Sequence, residues 1–234
     1  MQEKTTGKRF LFHGHAIAAA GKITSPFQDI IPAQAATALA ISGGYGSARV
    51  ENFRYKEIFS FASAYSEVAG TFVDKDGGFY ETLSLTALEK VNFLDVVTCD
   101  RVVARITAKY PAAGGTPTVV TTGSRFERLR VGAIFFEKLD IAPDLLGKYD
   151  ASTKREDPDF DTDETISKRG AGYAPDVLYR PRRISIPQFG DVFLGERFAF
   201  SNLRHLLMLR ISMGCPVSGS ASLGGAVSGG DPYP

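Results

Sequence analysis

Alternation of apolar and polar positions dominates the chain. In DRVVARITAKY, residues 100–110, Val102, Ala104, Ile106 and Ala108 fall on one side, and Arg101, Val103, Arg105, Thr107 and Lys109 fall on the other. That period of two marks a strand with one buried and one solvated face. ENFRYKEIFSFASAYSEVAG, residues 51–70, sets Phe53, Tyr55, Phe59, Phe61 and Tyr65 against Asn52, Arg54, Lys56, Ser60 and Ser66, with a bend expected near Phe59. RLRVGAIFF (128–136) reads as a further strand after the turn-like TTGS. RHLLMLRISMGC (204–215) reads as another, with Leu207, Leu209, Ile211 and Met213 opposing Arg210 and Ser212. Near the start, Phe10, Phe12, Gly14, Ala16 and Ala18 alternate with Leu11, His13, His15 and Ile17. SLTALEKVNFLDVV (84–97) fits either a short helix through Leu85, Leu88 and Val91 or a strand.

Several amphipathic strands separated by glycine, proline and asparagine predict an all-β fold. The expected architecture is an antiparallel sandwich or barrel with few or no helices. The chain reads as one domain over 1–234. Residues 143–183 are polar and charge-dense, far longer than an ordinary connection, and read as an insertion or flap. Residues 214–234 are rich in Gly, Ser and Ala and read as an edge strand or a loose tail. HAIAAAGKI (15–23) and GSASLGGAV (219–227) share this small-residue character, which permits another strand or subunit to approach closely. GGYGSA (43–48) is expected to be a hairpin turn.

Composition changes the picture in a few places. The 24 glycines, 17 phenylalanines and 9 tyrosines, with no tryptophan, favour strands and tight turns. The net charge of +1, from 27 basic and 26 acidic residues, provides no global field to recruit nucleic acid or an anionic membrane. No apolar run is long enough for a spanning helix. His13, Gly14 and His15 interrupt the N-terminal apolar stretch, so no signal peptide is read there and a cytoplasmic location is favoured. Cys99 and Cys215 have no metal-ligand spacing and read as two buried thiols.

Three groups of residues could carry chemistry. His13 and His15, at i and i+2 on one strand, share a face and could ligate a divalent metal, with His205 the one remaining histidine as third ligand. Asp157, Asp159, Asp161 and Asp163 could bind calcium, although the glycine and glutamate positions of an EF-hand loop hold Thr162 and Lys168. Tyr179, Arg180, Arg182 and Arg183 could contact a phosphate or an acidic partner. Neither a nucleophile elbow nor a phosphate-binding glycine loop occurs.

The expectation is therefore a non-enzymatic β domain that acts as a binding or assembly module and self-associates, needing no cofactor. Its ligand, protein or small molecule, is left open. The alternative is a β-barrel enzyme or small-ligand binder, metal-dependent through His13 and His15.

Overall fold

The alternating stretches become strands. The computed structural model describes residues 10–24, 28–146, 176–200, 203–213, 220–223 and 227–229; side chains of 199–200, 220–223 and 227–229 fall outside that description. Strands β1 (His15–Ala16), β2 (Ala19–Ile23), β3 (Asp29–Gln34) and β4 (Thr37–Ala38) are followed by β5 (Gly44–Tyr55) and three 15-residue strands, β6 (Phe59–Val73), β7 (Phe79–Phe93) and β8 (Val97–Pro111). Then come β9 (Thr118–Val120), β10 (Arg125–Val131), β11 (Ile134–Ile141), β12 (Val177–Leu178), β13 (Arg182–Ile186), β14 (Gly190–Phe200), β15 (Leu203–Met213), β16 (Ser220–Leu223) and β17 (Val227–Gly229). One sheet runs β12-β11-β10-β8-β7-β6-β5, with β9 also on β8; a second runs β13-β14-β15-β16-β2-β3, with β17 also on β15; β1 and β4 form a separate two-stranded sheet. A continuous apolar cluster draws on both sheets, from Phe59, Phe93 and Phe126 to Leu206, Met208 and Ile211, which makes a sandwich rather than a closed barrel. No described residue is helical, and no helix is long and apolar enough to cross a membrane.

The first sheet changes face along one transverse row. In β6 the buried positions are Phe59 and Phe61, but then Ala64, Ser66 and Val68. In β7 they are Thr82, Ser84, Thr86 and Leu88, but then Val91 and Phe93; in β8 they are Val97 and Cys99, but then Val102, Ala104, Ile106 and Ala108. The switches fall at Glu51–Asn52, Ala62–Ser63, Glu89–Lys90, Asp100–Arg101, Glu127–Arg128 and Glu137–Lys138. These pairs are neighbours through Glu51↔Ser63, Ser63↔Glu89, Glu89↔Arg101, Arg101↔Glu127 and Glu127↔Lys138. Asn52, Lys90 and Arg128, in every second strand of the row, take φ of 53°, 54° and 51°. Such left-handed residues rotate the side chains that follow them, here without the extra residue of a bulge. Because every strand shifts together, the register survives: Glu89↔Arg101 before the row is matched by Val91↔Cys99 after it.

The row divides the interior. On one side the buried face carries Phe59, Phe61, Phe93, Val97 and Leu129. On the other, beyond Leu88 and Val102, three successive rungs read Ser66–Thr86–Ala104, Val68–Ser84–Ile106 and Gly70–Thr82–Ala108. These shorter side chains leave depth for the N-terminal segment, and β1 lies against β6 and β7 while β17 lies against β7 and β8. Phe12 packs onto Gly70, where an added Cβ would stand 2.7 Å from its ring and 2.7 Å from Leu39. Phe10 stacks on Tyr80 with centroids 4.1 Å apart. The backbone is fastened too, by Phe12 N–H to the Ile41 carbonyl at 2.9 Å and Leu39 N–H to the Gly14 carbonyl at 2.7 Å.

Several expectations change. RLRVGAIFF is a hairpin, since Gly132 at φ 58° turns Val131 back onto Ile134. The bend expected near Phe59 is a full turn pairing Tyr55 with Phe59, with Lys56 at φ 49°. GGYGSA is mostly the start of β5, and the turn precedes it at Ile41–Ser42. The ambiguous stretch 84–97 is strand through Phe93. Tyr65 and Leu207 lie opposite to the faces expected, because each follows or precedes a phase switch that simple alternation ignores. The polar insertion narrows at its margins: Leu145 and Leu146 are core residues, and β12 and β13 begin before Arg183. The small-residue segments at the two chain ends do meet another strand, namely each other, through Ala221↔Gly21, Ser222↔Ala20 and Leu223↔Ala19.

A backbone test follows for the row. Lys90→Gly and Lys90→Val both remove the exposed Lys90–Asp100 ion pair of 3.0 Å, so their difference isolates the left-handed backbone. The valine variant is expected to be less stable than the glycine variant by about 1–2 kcal/mol in urea denaturation. Equal stability would mean that the row is not strained at Lys90.

Candidate functional site

All three histidines of the chain gather at one place. Phe12, Gly14 and Ala16 face inward, so the intervening positions face away from the core: His13 is exposed and His15 is half-buried. His205 comes from β15, where it stands opposite Phe198 of β14 and Ser228 of β17. Strand β17 pairs with β15 and also touches β1, bringing residues almost two hundred positions apart in sequence into one seam. The His15 and His205 ring centroids are 5.3 Å apart, tilted by 49°, and those of His13 and His15 are 6.2 Å apart, nearly perpendicular.

Burial and mutual repulsion keep two of these rings neutral. His205 is pushed down to about 4, first by loss of solvent and then by the neighbouring His15 and His13. His15 is lowered by burial first and by His13 second. A neutral imidazole offers one N–H donor and one lone-pair nitrogen, so the seam can accept hydrogen bonds or ligate a soft or borderline metal ion, and it does not attract anions. As the side chains stand, no three His, Cys, Asp or Glu among the described residues already converge as a metal-binding group.

The other sequence candidates fare differently. Asp157, Asp159, Asp161 and Asp163 lie outside the described residues, as does Cys215. The YRPRR group is split by the alternation of β13. Arg182 is buried with its guanidinium 5.1 Å from the Phe136 ring centre, Arg183 pairs with Asp191 at 2.7 Å, and Tyr179 and Arg180 are exposed. Cys99 is a buried thiol whose Sγ donates to the carbonyls of Arg101 and Glu127; burial pushes it up to about 12, so it stays protonated.

Sequence reading missed two buried features. Glu196, 3% exposed, accepts a two-pronged contact from Arg210 at 2.7 and 2.8 Å, and the Arg210 guanidinium lies 3.6 Å from the Phe193 ring centre. Ser66, Thr82 and Thr86 bury hydroxyls that find no hydrogen-bond partner among the described residues, making the shallow half of the interior polar as well as small. Alternation shows these positions as inward-facing only when the phase switches are allowed for. A cleft of about 240 Å³, bordered by Arg54, Lys56, Asn92 and Asp95, lies at the hairpin ends and includes no histidine.

Residues 10–176 match the protein family described as a domain of unknown function (DUF8256). No curated protein and no solved structure matches the chain.

The depressed histidines set a pH dependence with a definite sign. Between the ordinary value of 6.5 and about 4, the unfolded chain binds a proton at residue 205 that the folded chain refuses, so stability falls as pH falls through that window. Thermal melts from pH 7 to 4.5 are expected to decline less steeply for His205→Gln than for the parent chain. Parallel declines would mean that His205 titrates normally in the fold.

Proposed function

The chain belongs to the DUF8256 family, and we propose that it is a non-enzymatic binding module whose small ligand is held at the three-histidine seam. The observation that carries this reading is the convergence of His13 and His15, from the N-terminal segment, with His205 of β15, with His15 and His205 half-buried and their pKa values lowered. A seam between segments far apart in sequence can present nitrogen donors on the sandwich scaffold.

Self-association, the other half of the sequence expectation, has weaker geometric support. Each margin strand carries a feature that discourages edge pairing. β3 contains Pro32, β5 carries Arg49, Glu51 and Arg54 with a kink at Asn52, β12 is two residues long, and β13 is five residues long with Arg183 exposed. What favours it is the exposure of Ile41, Tyr45 and Phe72, at 67%, 64% and 49%, around the start of β5 and the end of β6.

Native mass spectrometry of untagged protein, purified without chelator or imidazole, tests the proposal. A mass above that of the bare chain is expected, and it should disappear from the His15→Ala/His205→Ala variant. A bare chain mass, or an adduct that survives the double substitution, would refute the seam as the binding centre. The same spectrum reads out dimers directly.

A further inference from the structure

We propose that His15 and His205 are paired ligands of a divalent transition-metal ion of the zinc class, with His13 as third ligand; this rests on the seam being the binding centre. A zinc–nitrogen bond of about 2.0–2.1 Å places each imidazole centre about 3 Å from the ion, so two rings on one tetrahedral ion have centres about 5 Å apart. The His15–His205 separation of 5.3 Å fits that arrangement. At 6.2 Å from His15, the His13 ring is somewhat too far out, but His13 is exposed at the surface and has room to turn about its side-chain bonds toward the other two.

Donor chemistry narrows the ion. Three imidazoles form an all-nitrogen set, which suits zinc, copper, nickel or cobalt and offers nothing to the oxygen-seeking calcium and magnesium. Three protein ligands leave a fourth position of a tetrahedral ion open to water or to a small donor. The ion would also join the N-terminal segment to β15, and thus one chain end to the second sheet, which links occupancy to stability.

Cobalt(II) titration of the untagged, metal-stripped full chain is the test, because its visible d–d bands report a tetrahedral nitrogen site without help from any activity. One cobalt per chain is expected, displaced by zinc and not by calcium or magnesium, with no thiolate charge-transfer band. His15→Ala and His205→Ala should each weaken binding by more than about tenfold, and His13→Ala should weaken it less. His205→Gln, closer in shape, serves as the second variant should His205→Ala fail to fold. Absence of cobalt binding by folded chain, or binding unchanged in the His15 and His205 variants, would overturn the metal assignment. If native spectra still show a histidine-dependent organic adduct, the metal assignment alone fails; if they show none, the binding reading fails with it.

Discussion

Six neighbouring strands can change face at one level only if all of them do so, because a strand that kept its phase would turn its buried side chains to solvent. The row from Glu51–Asn52 to Glu137–Lys138 meets that condition with polar or small residues at every step. Charged side chains supply most of these outward pairs, and contacts along the row, such as Lys90–Asp100 at 3.0 Å and Ser63–Glu89 at 3.1 Å, are exposed and individually weak. The constraint is geometric: each position that faces out twice lets its strand return to the core in the other phase. The left-handed residues Asn52, Lys90 and Arg128 carry the backbone cost in alternate strands.

The consequence is an interior with two textures. Phenylalanines fill one side of the row, whereas the rungs around Ser66, Ser84 and Gly70 are small and partly polar. Filling that side with large side chains would leave no depth for Phe12 above Gly70 or for β1 beside β17. The chain ends therefore close the sandwich: β2 pairs with β16, and Phe10 and Phe12 seat the segment that bears His13 and His15. A similar interruption recurs in the second sheet, where Gly195 at φ 67° stands opposite the switch between Met208 and Leu209. There the phase change places Leu206 and Met208 in the core and leaves His205 between them and the strand start, half-buried.

The alternation of 101–110, beyond the switch at Asp100–Arg101, and of Phe12, Gly14, Ala16 and Ala18 was legible because each run stays in one phase, although Val103, expected on the solvated face, is buried. Tyr65 and Leu207 were assigned to the wrong faces because alternation was carried through a switch; the paired polar residues marking such switches, Glu89–Lys90 above all, are a signal that period-two counting discards. Gly132 announced a turn inside RLRVGAIFF, but the flanking apolar residues outweighed it. The histidine pair was readable from its spacing alone. His205 was a candidate third ligand only as the one remaining histidine; its place beside the pair was not legible, because the contact depends on β17 returning to β15 and no local pattern encodes a pairing of such long range.

The two-textured interior carries the N-terminal segment to β15 and so brings the histidines together. Nuclear Overhauser contacts between the ring protons of His15 and His205, in histidine-labelled protein at neutral pH, measure this most directly. Cross-peaks are expected between these two rings and, more weakly, between His13 and His15. Well-resolved ring signals from folded protein with no contact between His15 and His205 would contradict it.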